Sequence, residues 1–138
     1  MKFRLVPPDK LPLVWHHIAP LLDKAVSLSP QKIVIQDVLN AALHGVYLIW
    51  VAVDEDKGEF VGVVTTRILT YPRCRALAMD FIGGSRMKEW LPEAQKAVEE
   101  HGKRNGCKFL EGYGRRAWSR FLEPLGWEQA YITYHKDI

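Results

Sequence analysis

The stretch from Arg75 to Trp127 constrains this chain more than any other. Arg75-Ala-Leu-Ala-Met-Asp-Phe-Ile82 is apolar enough to be a buried strand. Gly83-Gly84-Ser85 follows as a loop, and Met87 to Arg104 reads as an amphipathic helix that Gly106 stops. Cys107-Lys-Phe-Leu-Glu-Gly-Tyr113 is the next strand, and Arg115 to Glu123 a short helix. Pro124-Leu-Gly-Trp127 then turns into a final strand. A strand whose helix returns to a second strand is a βαβ unit with a right-handed crossover. Such units meet anionic ligands where the strand's carboxyl end faces the helix's amino end. Gly83-Gly84-Ser85 is therefore the first candidate site.

The remaining elements flank this unit. Phe3 to Val6 is a short strand, ended by Pro7-Pro8. Asp9 is a plausible cap for a helix with an apolar stripe of Leu13, Ile18, Leu21, Leu22 and Ala25, reaching about Val26. Pro20 lies inside that stripe and predicts a kink or two shorter helices. Ser27-Leu-Ser-Pro30 is a break, and a second helix covers Ile35 to Leu43 with Gly45 as its stop. Val46 to Val53 is a nearly continuous apolar run, the pattern of a strand covered on both faces. Asp54 to Gly58 is a polar hairpin turn, and Phe60 to Leu69 is its antiparallel partner. Tyr71-Pro-Arg-Cys74 turns into the strand at Arg75, and Gln129 to His135 alternates as a last strand. There are no repeats or linkers, so residues 1–138 read as one domain.

Composition mainly excludes. The formal charge of +3 is too mild to argue for nucleic acid, which is not an expected partner. Cys74 and Cys107 match neither a metal spacing nor a disulfide framework, which suits a reduced compartment. His16 and His17 are adjacent, so on a helix they point about 100° apart and do not jointly hold an ion; no metal site is expected. Neither a signal peptide nor a membrane span is visible, and a cytoplasmic protein is the expectation.

The element order predicts a mixed sheet with helices on both faces, in the α/β or α+β range. It resembles the GNAT superfamily of N-acetyltransferases over nearly the whole chain. Ala117 to Trp127 is similar to that superfamily's closing helix and its terminal Leu-Gly-aromatic turn. The resemblance implies a mostly antiparallel sheet of six to seven strands with a central parallel pair. More narrowly, Gly83-Gly84, Trp90-Leu91-Pro92, Gly106-Cys107 and Gly114-Arg115 with Trp118 resemble small GNAT-like proteins of tailed bacteriophages.

The resemblance implies that acetyl-CoA lies in a splay between the parallel strands, its pyrophosphate on backbone amides before the long helix. Gly83, Gly84 and Ser85 would offer three amides, with Arg86 or Lys88 as a nearby cation. Glycine lets a phosphate approach closely, and free helix amides add partial positive charge. Phe81, Ile82, Met87 and Trp118 complete the candidate cofactor-binding set. Trp90 and Trp118 read either as a platform beside the loop or as core. The second spaced glycine and most of the superfamily's basic loop are missing, and the competing reading of Gly83-Gly84 is a tight strand-to-helix turn. Lys103, Arg104, Lys108, Arg115, Arg116 and Arg120 gather in the carboxyl third, as a rim for the 3′-phosphate of CoA or as a solvated face.

Acetyl transfer to an amine needs a base, a donor for the thioester oxygen and an acid for the thiolate. The superfamily commonly places the acid as a tyrosine four residues before the closing-turn glycine, a position that is Leu122 before Gly126 here. Tyr113 is the substitute acid; otherwise it is an ordinary strand tyrosine. Asp80 is the first candidate base and Glu111 the second; the competing reading of Asp80 is a solvated strand end or a partner to Arg67 or Arg75.

Two function classes follow. One is an acyltransferase that moves acetyl from acetyl-CoA to a primary amine on a small molecule or a protein. The other is a catalytically degenerate binding or assembly module, as a homodimer or with a viral partner in a phage virion or its morphogenesis. The glycine loop and the near-complete topology favour the first; Leu122 and the shortened loop favour the second.

Overall fold

A computed structural model describes residues 1–28, 31–114 and 116–138. Strand β1 (Lys2–Val6) is followed by helices α1 (Leu11–Val26) and α2 (Ile35–Leu43). Strands β2 (Leu48–Asp54), β3 (Glu59–Thr70) and β4 (Arg75–Gly84) lead to the long helix α3 (Met87–Arg104) and to β5 (Cys107–Gly112). A short helix α4 (Ser119–Leu122) lies between 3-10 turns at Arg116–Trp118 and Glu123–Leu125. The expected break at Ser29 and Pro30, and Arg115 at the expected start of the short helix, lie outside the described residues.

The sheet runs in the order β1-β2-β3-β4-β5. Its first four strands pair antiparallel, and β4 and β5 pair parallel. This is the expected mixed α+β architecture, with two differences. The sheet has five strands rather than six to seven, and its parallel pair lies at an edge rather than in the centre. The cause is the carboxyl-terminal segment: residues 127–138 form no regular secondary structure. Its apolar members Tyr131, Ile132 and Tyr134 are 66%, 58% and 87% exposed, so no buried face stabilises a strand ladder there.

Each face of the sheet carries its own core. Under α3, Trp50, Val64, Leu77 and Met79 pack on Trp90, Leu91, Ala94 and Val98. Phe3 stacks on Trp50 and Trp90 at 5.6 and 6.4 Å between ring centroids. On the opposite face, Ile18 and Leu22 of α1 and Val38 of α2 cover Ile49, Val51 and Val63. Helix α1 runs unbroken through Pro20, and it starts after Lys10 without the side-chain cap expected from Asp9. The Asp37 carboxylate of α2 accepts from the Val34 N–H at 2.9 Å and closes that helix's first turn.

Candidate functional site

The parallel pair parts before its first strand ends. Strand β5 runs beside β4 from Arg75/Cys107 to Met79/Gly112, and β4 continues without β5 through Asp80–Gly84, still paired with β3. A bulge begins at the same place. Val64 pairs with Ile82 and Thr66 with Met79, so Asp80 and Phe81 stand opposite Thr65 alone. Met79 and Ile82 pack toward α3, whereas Phe81 packs on the α1 side. The displaced Phe81 N–H donates to the buried Thr65 hydroxyl at 3.1 Å. The result is a splay at the carboxyl end of the parallel pair, beside the amino end of α3.

The two glycines have a structural role there beside the one expected. Strand β4 runs through both, which leaves only Ser85 and Arg86 between strand and helix. A Cβ on Gly83 would lie 2.0 Å from the Leu21 carbonyl oxygen of α1, and one on Gly84 would lie 2.2 Å from the Val61 carbonyl oxygen. Gly84 also takes φ +117°. Close approach of two backbones requires these glycines, whatever binds nearby. Ser85 donates its amide to the Val61 carbonyl at 2.9 Å, so that amide is spent. The N–H groups that a helix's first turn leaves unpaired, beginning at Met87 and Lys88, remain the anion donors of this corner.

Arg86 caps α3 in the left-handed region at φ +58°. Its guanidinium donates to Glu89 at 2.6 and 3.0 Å and to Asp54 at 2.7 Å. These bonds raise the guanidinium's pKa and hold the Asp54 and Glu89 carboxyls below their ordinary values. Arg86 is thus committed to two carboxylates, and Lys88 is the exposed cation next to it. Trp90 is core: it is 1% exposed, lies against Gly62 and donates its indole N–H to the Ser85 carbonyl at 2.8 Å. Trp118 packs on Gly114 and near Phe121, while Ile82 and Met87 are half-buried against the α3-side core. Lys103, Arg104 and Lys108 sit at the far end of α3, about 25 Å from its amino end at about 1.5 Å per residue. They do not form a rim for this corner; Arg115 lies outside the described residues, and Arg120 rests over the Phe121 ring.

Of the candidate bases and acid, Asp80 stands apart from the other two. Both Asp80 oxygens accept from Arg67, Nε to Oδ2 at 2.5 Å and Nη2 to Oδ1 at 3.2 Å. That bonding raises the pKa of Arg67, and burial together with the Asp80 charge raises that of Tyr47 beside them. Glu111 and Tyr113 are brought together: the Tyr113 hydroxyl donates to Glu111 Oε2 at 2.7 Å, and the Tyr71 hydroxyl donates to the same oxygen at 2.8 Å. Both phenols are held above their ordinary pKa, chiefly by the Glu111 bond. Leu122 packs against the α3-side core.

Tyr71, Thr65 and Tyr47 are the residues that sequence reasoning missed. Tyr71 reads locally as a turn residue before Pro72. Thr65 had a usable signal, since a hydroxyl inside an apolar strand must find a partner when buried. A shallow hollow of about 400 Å³ lies elsewhere, against Leu5, Val6, Pro7, Val14, Val51 and Phe60. Among the described residues no group of His, Cys, Asp and Glu is placed to hold a metal, and no helix is long and apolar enough to cross a membrane.

The fold is the one shared by the GNAT N-acetyltransferases. A probable acetyltransferase superposes with a TM-score of 0.76 at 12% identity, covering 100% of this chain and 98% of that one. The ribosomal-protein-alanine N-acetyltransferase from Brucella melitensis biovar Abortus 2308 has a TM-score of 0.73 at 15% identity, with 100% of both chains covered. Aminoglycoside N-acetyltransferase AAC(6')-Iy, solved in complex with CoA, has a TM-score of 0.69 at 15% identity, covering 99% of this chain and 95% of that one. No family model and no curated relative matches the sequence.

Proposed function

We propose that this protein transfers an acetyl group from acetyl-CoA to a primary amine on a small molecule or a protein. The observation that carries the reading is the splay of β4 from β5 beside the amino end of α3, in a chain whose whole length has the N-acetyltransferase fold. The cofactor's arm fits between Asp80–Gly84 and the end of β5. The first-turn amides of α3, with Lys88, fit its pyrophosphate; Arg86 does not contribute. Acetyl-CoA supplies the activated acetyl group.

Glu111 is the better base, because Arg67 already occupies both oxygens of Asp80. Glu111 takes the proton of the amine, Tyr113 gives its hydroxyl proton to the leaving sulfur, and Glu111 restores it. The relay is self-timed. The negative Glu111 keeps Tyr113 protonated, and once Glu111 is neutral that restraint disappears and Tyr113 becomes a stronger acid.

A second reading rests on Arg86. Asp54 and Glu89 place two carboxylates where the phosphates would lie, and Leu122 replaces the superfamily's acid. On that reading the chain is a binding module, of the kind its likeness to small phage proteins suggests, with a second copy or a virion protein as its partner.

Calorimetry with acetyl-CoA and desulfo-CoA separates the two readings. Micromolar binding to the wild type, weakened in Lys88→Glu with the fold intact, supports the transferase. No binding at millimolar ligand overturns it.

A further inference from the structure

The end of the fold opposite the splay is strongly cationic. Lys103 and Arg104 close α3, and Lys108 follows the first residue of β5. Arg73 lies in the turn before β4, and Arg75 is that strand's first residue. Because β4 and β5 are parallel, their amino ends and the carboxyl end of α3 come together there. Arg75 stands in register with Cys107, and its Nη1–H donates to the Asn105 carbonyl at 3.0 Å, which ties β4 to the turn between α3 and β5. All five side chains are exposed, and none forms an ion pair with a carboxylate among the described residues. Their charges exceed the formal net charge of +3 of the whole chain. The rest of the chain is therefore net acidic, and the mild total hides one concentrated positive end.

A helix's carboxyl end favours cations, which accounts for Lys103 and Arg104. It does not account for Arg73, Arg75 and Lys108, which belong to other elements. Glu100, one turn back on α3, forms no ion pair with Lys103 or Arg104. Lys108 also interrupts the ladder. The register steps from Arg75/Cys107 to Ala76/Phe109, so Lys108 is the extra residue of a bulge, a device that re-aims a side chain. Phe109 comes next, 45% exposed and part of neither core. Tyr71, the other exposed ring of this region, is bonded to Glu111.

We propose that this end of the protein binds single-stranded nucleic acid, with Arg73, Arg75, Lys103, Arg104 and Lys108 on its phosphates and Phe109 stacked on a base. A bare ring beside a run of cations is the combination that holds an unpaired strand. A duplex keeps its bases stacked on one another and has none to lay on Phe109. An acidic peptide would use the charges and leave the ring idle. A lipid surface needs an apolar face wider than one ring. The patch lies the length of α3 away from the splay, and its reading does not rest on acetyl transfer.

Fluorescence anisotropy of a labelled oligoadenylate of about 15 nucleotides, in ribose and deoxyribose forms, tests this with the full chain. Saturable micromolar binding is expected at about 50 mM salt, and about 100-fold weaker binding at about 200 mM, as five phosphate contacts require. Arg73→Gln and Lys108→Gln each reduce the salt slope by about 0.7. Lys57→Gln, in the hairpin turn between β2 and β3 at the splay's end of the sheet, leaves it unchanged. Phe109→Ala weakens binding about tenfold without altering the slope. Preference for the ribose form assigns RNA, and preference for the deoxyribose form assigns DNA.

No binding at low salt, an equal loss in Lys57→Gln, or full affinity in a folded Phe109→Ala overturns the proposal. Tighter binding of a duplex, of polyglutamate or of phosphatidylserine vesicles overturns it too, in favour of that partner. A chain that fails here and still binds acetyl-CoA keeps the transferase reading, and the reverse pattern keeps only the patch.

Discussion

Arg67 and Asp80 face each other across β3 and β4 and are joined by two hydrogen bonds, Nε–Oδ2 at 2.5 Å and Nη2–Oδ1 at 3.2 Å. The pair lies where β4 bulges and β5 departs. Asp80 therefore ties β4 to β3 where the register between them shifts.

The consequence for catalysis is a ranking of carboxylates. Asp80→Asn keeps one acceptor for Arg67 and loses about 1–2 kcal/mol of stability, the scale of a hydrogen-bonded charge pair discounted for partial exposure. Glu111→Gln lowers kcat about 100-fold, within the range for a removed general base, while Asp80→Asn lowers it far less. Denaturant unfolding and single-turnover assays check this. A larger kcat loss in Asp80→Asn would return the base role to Asp80.

Gly83→Ala and Gly84→Ala each destabilise by about 3 kcal/mol or more, because the new methyl meets carbonyl oxygens that α1 and β3 hold in place. Urea midpoints measure the loss. Wild-type stability in either variant would show that the backbones can separate there at little cost.

Release of Arg86 bears on anion binding. Glu89→Gln frees part of the guanidinium and removes a negative charge from the first turn of α3. Acetyl-CoA binds about two- to fivefold tighter, while the helix loses the dipole stabilisation that the Glu89 charge gives its first turn. The pH dependence has a definite sign. The Asp54 and Glu89 carboxyls titrate below their ordinary values, so their contribution is fully present above about pH 4.5 and is lost as pH falls through the lowered values. Thermal unfolding across that range, in the wild type and in Arg86→Gln, isolates it.

Tyr71 and Tyr113 ionise above the ordinary phenol value of about 10. The folded state keeps their protons longer than the unfolded chain does. Their contribution is thus complete below pH 10 and is lost as pH rises through the raised values. Phenolate absorbance shows three late-titrating tyrosines in the wild type, Tyr47 among them, and Glu111→Gln returns Tyr71 and Tyr113 toward the ordinary value while Tyr47 stays late. Unchanged titration in that variant would contradict the Tyr71–Glu111–Tyr113 bonding.

Periodicity and punctuation within the chain determined the main elements. Helices α2 and α3 fall over Ile35–Leu43 and Met87–Arg104 as their apolar spacing and closing glycines require, and the apolar strands fall within a residue or two of their expected bounds. These features depend on neighbours a few residues away, so the chain carries them locally. The mixed-sheet architecture followed from their order, whereas the splay between the parallel strands was an implication of the resemblance.

Only tertiary structure decided how that corner is used. Gly83 and Gly84 are explained by Leu21 and Val61, Asp80 by Arg67, and the Glu111 cluster by Tyr71, all partners far away in the chain. The closing strand fails for the same reason: alternation from Gln129 to His135 states which face a strand would bury, but no element supplies the surface to bury it. A local pattern sets what a segment can form. Burial and pairing with remote residues set whether it forms, and which side chains remain free to do chemistry.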